Sequence, residues 1–201
     1  MRILALAGSL RADSSNRKLL QNAIDQAPEG ATVTEFTSEQ LAAVEPFDED
    51  VEATGLPAGA AAFAAAIRSH DALVIATPEY NGSVPGQLKN ALDWASRADG
   101  AAPEGSLAGL PSSPLYGVPV GVMSASNGQF GAVWARDELA KALRTQGARP
   151  IVEPSVTLAD ADNAFDANGT LKHAGGRARA GELVAATVEM ALALRAALAA
   201  R

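Results

Sequence analysis

Five short apolar runs bounded by turn residues punctuate the chain: RILALAG, ATVTEF, DALVIAT, GVPVGVMS and, more weakly, RPIVEPSV. The first, third and fourth show little polar alternation, as central parallel strands covered on both faces require. Helical patterning predicts helices over about 15–27, 58–69, 85–97, 130–146 and 177–200. Strand and helix alternate five times, which predicts an α/β protein with right-handed crossovers. The count fits three layers around a five-stranded parallel sheet of order 2-1-3-4-5. At 201 residues the chain reads as one domain, 1–201, large enough to close a sizeable core.

Capping signals follow the same pattern. Pro85 is predicted at the first position of the third helix with Ser83 as its cap, and Gly147 at the C′ position of the fourth. Two segments read as irregular: the acidic VEPFDEDVEATGLPAG and the Gly-, Pro- and Ala-rich RADGAAPEGSLAGLPSSPLYG. Loops of that length in a compact domain are commonly functional.

Composition narrows the function. A hydrophobic content of 48% with 19% charged residues describes a globular protein, and the formal net charge of -7 comes with no basic run. Nucleic acid is therefore not an expected partner. Cysteine is absent, which removes disulfides, thiolate metal sites and a cysteine nucleophile. The run from Ile3 to Ala7 is too short for a signal-peptide core. Glu189 and Arg195 interrupt the Ala- and Leu-rich C-terminal stretch, which predicts a packed helix, not a membrane span. A cytoplasmic protein with no membrane partner is expected.

Three strand-to-helix turns carry the candidate chemistry. Ligands of open α/β sheets sit at the carboxyl ends of strands, where these turns must lie. In AGSLRADSSNRKLL, Ser9, Ser14, Ser15 and Asn16 offer short polar side chains, and the helix start offers free N–H groups and the positive end of a dipole. Arg11 adds a fixed charge suited to phosphate oxygens. The same residues also read as a plain helix cap, with Ser15 or Asn16 capping and Arg11 solvated. G-x-G-x-x-G and the Walker pattern are both missing, so two common nucleotide signatures fail.

In TPEYNGSVPG, Pro78 stiffens the turn, Asn81 and Gly82 suit positive φ, and Tyr80 could wall a planar ring. Beside a phosphate cradle it becomes the middle of an extended ligand site; alone it is a tight turn. The fourth-strand turn, MSASNGQFGAVWARDELAKAL, brings Ser124, Ser126, Gly128 and Gly131 to the start of a helix near Phe130. Its donors could stabilise charge on a ring oxygen, or it is a cap with Phe130 and Trp134 in the core. His70 and His173 lack acidic partners at ligand spacing, so no metal site is expected. No G-x-S-x-G elbow occurs. No side chain reads as a catalytic acid, base or nucleophile, which assigns any chemistry to a cofactor.

GSLRADSSN, TPEYNGSVPGQLKNALDWASR and SNGQFG, with PFDEDVEATGLP and FDANGTL, resemble the NADPH-dependent FMN reductase family of flavodoxin-like proteins over nearly the whole chain. The resemblance implies FMN as cofactor, with its phosphate at Ser9, Arg11, Ser14, Ser15 and Asn16. It places the isoalloxazine at Pro78, Glu79, Tyr80, Asn81 and Gly82, with a further contact at Ser126. It implies NADPH or NADH as electron donor and hydride transfer through FMN to a small-molecule acceptor: a quinone, free flavin, azo compound or chromate. A non-enzymatic flavodoxin-like electron carrier is the alternative. A homodimer or homotetramer is implied as well. The chain departs from the family at Gly131-Ala132, Trp134 and Leu139-Ala140. The segment 98–113 is longer than usual and is expected to form a lid.

Overall fold

The computed structural model describes residues 1–97 and 113–200. In chain order the elements are β1 (Arg2–Ala7), α1 (Ser15–Ile24), β2 (Thr32–Phe36), α2 (Ser38–Ala42), α3 (Glu49–Glu52), α4 (Ala58–Arg68) and β3 (Ala72–Thr77). There follow α5 (Gly86–Arg97), β4 (Pro119–Ala125), α6 (Val133–Thr145), β5 (Arg149–Ile151), β6 (Thr157–Leu158) and α7 (Ala174–Ala199). The strands form one sheet in the order β2-β1-β3-β4-β5, with β6 also on β4, and all the strand pairs are parallel. This is the flavodoxin-like α/β arrangement, and the predicted strand order holds.

The apolar runs form these strands because both faces of the sheet are covered. Every residue of β3 and β4 is buried. One face packs Leu4, Leu6, Leu73, Ile75 and Val122 against Phe63, Leu88, Trp94 and Leu139 from α4, α5 and α6. The other packs Ile3, Ala5, Val74 and Met123 against Leu19 and Leu20 of α1 and Leu183 and Val184 of α7. Burial of each such aliphatic side chain stabilises the fold by about 1.5–3 kcal/mol. β2 lies at the sheet edge, and its burial is correspondingly patchy.

Several local expectations change. The fifth strand is two pieces on one edge of β4: β5 pairs with Pro119–Gly121, and β6 pairs further along with Ser124 and Ala125. The VEPFDEDVEATGLPAG segment is not wholly irregular, since Asp48 accepts from Asp50 N–H and caps the short α3. α5 starts at Gly86, one residue past Pro85. Ser83 lies three residues before that start, and its hydroxyl favours the ionised carboxylate of Glu138 on α6. Gly147 does end α6, at φ 81°. Apart from Ser113, the expected lid over 98–113 lies outside the described residues. Among the described residues no helix is long and apolar enough to cross a membrane.

Candidate functional site

At the carboxyl edge of the sheet, the loops after β1, β3 and β4 meet around a cleft of about 160 Å³. Its walls carry Ser9, Arg11, Ser14, Ser15 and Asn16 from the first loop, Pro78, Glu79 and Tyr80 from the second, and Ser126 from the third. Parallel pairing of β1 with β3 and of β3 with β4 places the three strand ends side by side, so the loops converge by topology. Asn81 and Gly82 do not line the cleft. They form the exposed tip of the second loop, beyond Tyr80.

The first loop is shaped by its own hydroxyls. Ser14, nearly fully buried, caps α1: its Oγ accepts from Asn16 N–H at 3.2 Å and Arg17 N–H at 3.4 Å. The cap is thus Ser14, not Ser15 or Asn16. As a hydroxyl, Ser14 still has a proton to donate outward. Ser9 Oγ accepts from Arg11 N–H at 3.3 Å and lies 3.4 Å from the Tyr80 hydroxyl, joining the first and second loops. The first turn of α1 itself contains no acidic residue to offset its positive dipole end. Among the described residues Arg11 is the one cation on the walls, and its side chain is exposed.

Asn16 serves a different purpose from its hydroxyl neighbours. Its Nδ2 donates to the Ala125 carbonyl and its Oδ1 accepts from Ala125 N–H, both at 2.9 Å. The amide therefore ties α1 to the end of β4. A buried amide that satisfies both backbone groups of one distant residue holds two loops in fixed register.

The second loop is a tight hairpin. Tyr80 and Ser83 exchange backbone bonds of 3.1 and 3.2 Å, while Asn81 at φ 55° and Gly82 at φ 76° make the two-residue turn. Asn-Gly is the sequence this turn favours, because both central residues need positive φ. The N–H groups of Asn81 and Gly82 lie outside the paired bonds, at the rim.

Two glutamates lock this loop to α6. Glu79 Oε2 accepts from Ala135 N–H at 3.1 Å, supplying the cap that Ala132 cannot. In return Glu138 Oε2 accepts from Val84 N–H at 3.3 Å. The Ser83 hydroxyl, with Val84 N–H and nearby Lys141 and Lys89, outweighs slight burial and holds the Glu138 carboxyl below its ordinary value. α6 begins at Val133, later than expected, after Gly131 and Ala132 have both passed through the left-handed region. Gly131 is needed there: a Cβ would lie 2.8 Å from the Leu158 backbone. Phe130 and Trp134 are not core residues; both stand exposed in an edge-to-face pair.

A fourth loop, after β6, also reaches the cleft and carries Ala161 and Asp162. Asn127 Nδ2 donates to Asp162 Oδ2 at 2.7 Å, and Asp162 N–H donates to Asn127 Oδ1 at 2.9 Å. Asn127 falls inside the SNGQFG turn that the sequence marked. Asp162 had no signal, because β6 is only two residues long. The histidines are occupied locally: His70 Nδ1 sits 2.7 Å from the Ala66 carbonyl, and His173 Nδ1 accepts from Gly176 N–H at the start of α7. Among the described residues no group of three or more His, Cys, Asp or Glu is placed to hold a metal ion.

A flavodoxin-like sheet with a polar cleft at the ends of β1, β3 and β4 defines a class of nucleotide-binding α/β proteins. The chain belongs to the NADPH-dependent FMN reductase family, which matches residues 1–163. It is 38% identical over 171 residues to an NAD(P)H-dependent FMN reductase of Pseudomonas aeruginosa, covering 85% of this chain and 84% of that one. It is 34% identical to a quinone reductase of Escherichia coli, covering 92% of this chain and 95% of that one. Among solved structures it resembles the flavoenzyme NAD(P)H:(acceptor) oxidoreductase of Paracoccus denitrificans, with a TM-score of 0.77 and 26% identity over 94% of this chain and 96% of that one.

Proposed function

We propose that this chain binds FMN in the cleft described above and acts as an NAD(P)H-dependent reductase of a small acceptor, with quinones foremost. The observation that carries the reading is the convergence of three loops on one cleft, with Arg11 and the start of α1 at one side and the Tyr80–Gly82 rim at the other. The donor set fits a phosphomonoester. Arg11 supplies charge-assisted donors, Ser9, Ser14 and Ser15 supply hydroxyls, and α1 supplies its dipole. The size agrees too: about 160 Å³ is too small to enclose a whole FMN, so the cleft takes the phosphate end and the ring lies along the open rim.

Bound FMN would carry two electrons from a nicotinamide nucleotide to the acceptor. The chain's own residues position and polarise. The N–H groups of Asn81 and Gly82 point donors toward the rim, where negative charge on a reduced ring needs stabilising. Tyr80 and Pro78 hold one side of the ring, and Ser126 offers a further hydroxyl. Asn16, Glu79 and Glu138 act indirectly, by keeping the loops in register. The P. aeruginosa and E. coli relatives, named for FMN reduction and quinone reduction, support donor and acceptor respectively.

We read residues 1–201 as one FMN-binding unit that works in the cytoplasm as a homodimer or homotetramer. The decisive experiment is an absorbance spectrum of the purified protein after reconstitution with FMN, followed by anaerobic addition of NADH and of NADPH. A retained yellow spectrum that bleaches with either nucleotide is expected. Steady oxidation of NAD(P)H with a quinone separates this enzyme from a passive electron carrier. Protein that stays colourless and leaves NAD(P)H unconsumed overturns the proposal.

A further inference from the structure

The aromatic residues are distributed unevenly. Phe36, Phe63, Trp94 and Phe165 are buried, and Phe47 and Tyr116 are partly covered. Tyr80, Phe130 and Trp134 are 48%, 52% and 55% exposed. The segment outside the described residues contains no aromatic residue, so these are the three exposed aromatics of the chain. Tyr80 sits on the loop after β3, Phe130 on the loop after β4, and Trp134 in the first turn of α6, which that loop leads into. Single exposed apolar residues are ordinary, but three large rings on one loop and on the loop and helix start beside it are not a scattered background. Leu10, 47% exposed on the first loop, adds an aliphatic side chain to the same edge of the sheet.

The Phe130–Trp134 pair is also held rigidly. The ring centroids lie 5.1 Å apart at an interplanar angle of 65°, so Phe130 braces Trp134 edge-on. The backbone between them is fixed by Ser124 Oγ donating to the Gly131 carbonyl at 2.7 Å and by Val133 N–H donating to the Phe130 carbonyl at 3.2 Å. Trp134 immediately precedes Ala135, whose N–H is bonded to Glu79, the neighbour of Tyr80. Ala132 is held at φ 64°, a conformation costly for a residue with a Cβ. Strain of that kind persists where the surroundings over-determine a functional loop. Rigid exposed rings lose little entropy when a flat molecule stacks on them.

We infer that Phe130 and Trp134 form the aromatic wall of the acceptor subsite and determine specificity, favouring planar aromatic acceptors of the quinone class over compact ones. The inference rests on the FMN-reductase reading, because it is the ring at the neighbouring rim that makes this wall an acceptor subsite. Aromatic stacking supplies attraction to a fused-ring quinone that a small octahedral anion cannot share.

The test uses 2-methyl-1,4-naphthoquinone and ferricyanide. The chain has two tryptophans, and Trp94 is buried with its indole N–H on the Glu45 carbonyl, so solvent-exposed emission reports Trp134. Oxidised naphthoquinone added to FMN-loaded protein without NAD(P)H should quench that emission saturably, and Trp134→Phe should abolish the saturable component. In steady-state turnover, Trp134→Ala and Phe130→Ala should each lower the ratio of kcat/KM for naphthoquinone to that for ferricyanide by roughly three- to tenfold, mainly through KM. Trp134→Phe should recover most of the ratio. Linear quenching alone, an unaltered ratio, or equal loss with both acceptors overturns the inference. So does a changed subunit count with the quinone preference intact, which would assign the pair to a subunit contact. Failure of the underlying reading looks different: the wild-type protein would then not bleach with NAD(P)H, whatever the quenching shows.

Discussion

Two neighbours in the first loop have separable roles. The Arg11 side chain is exposed and, among the described residues, its one hydrogen bond is a long 3.4 Å contact to the Asp13 carbonyl, so it contributes little to the fold. Arg11→Ala should weaken FMN binding about tenfold or more by fluorescence titration, as expected for loss of charge-assisted donors, while leaving the apoprotein melting temperature nearly unmoved. Asn16 is the reverse. Asn16→Ala strips partners from both backbone groups of Ala125 in a buried setting and should cost about 2–4 kcal/mol in urea unfolding. Unchanged stability in that variant would remove the clamp role. Sequence reading grouped the two residues because both sit in one polar turn; only the path of β4 shows that the Asn16 amide is already engaged.

At the scale of elements, α6 and the hairpin after β3 stabilise one another through carboxylates that cap across a gap in sequence. Glu79→Ala should lower stability by about 1 kcal/mol, the usual worth of an N-terminal cap, with Glu79→Gln retaining most of it. Glu138 supplies a pH dependence. Its folded pKa lies below the ordinary carboxylate value, chiefly through the Ser83 hydroxyl. The folded state therefore binds this proton more weakly than the unfolded chain does. The stabilisation is fully present above the unfolded pKa and is lost as pH falls through the folded one. Glu45 behaves alike. Burial raises its pKa, but its own N–H and those of Gly59 and Ala60 at the start of α4 outweigh that and lower it. Equilibrium unfolding followed downward from pH 6 should show Glu138→Gln losing less stability than the wild type below about pH 4.5. Parallel curves would exclude the linkage.

For the whole molecule, the relevant property is that the cleft has no element of its own. It exists where the ends of β1, β3, β4 and β6 lie together, so folding and site assembly are one event. FMN should stabilise the native state by about 2.7 kcal/mol at a concentration a hundredfold above its dissociation constant. Riboflavin, which lacks the phosphate, should shift the melting temperature much less at equal concentration. Equal shifts from both would place the phosphate away from Arg11 and the start of α1. Gly131→Ala tests the joint between β4 and β6. The new Cβ meets the Leu158 backbone at 2.8 Å from a left-handed position, and a loss of several kcal/mol with weakened FMN binding is expected.

Much of this was legible in the sequence. Unbroken apolar runs require burial on both faces, and runs alternating with amphipathic helices require a parallel sheet with crossovers, so the strand order could be read before any coordinate. The residues of the first three turns could also be marked, because serines, an arginine and Asn-Gly announce their local chemistry. Tertiary structure alone decided what those residues do with their polar groups. Asn16 is spent on Ala125, Glu79 on Ala135 and Ser83 on Glu138, partners up to 109 positions away in the chain. It also decided that Phe130 and Trp134 face solvent, and that Asp162 reaches the cleft on the loop after a two-residue strand. The physical reason is range: periodicity and turn chemistry act over a few residues and leave a pattern along the chain, whereas hydrogen bonds between loops depend on which strand ends the sheet brings together.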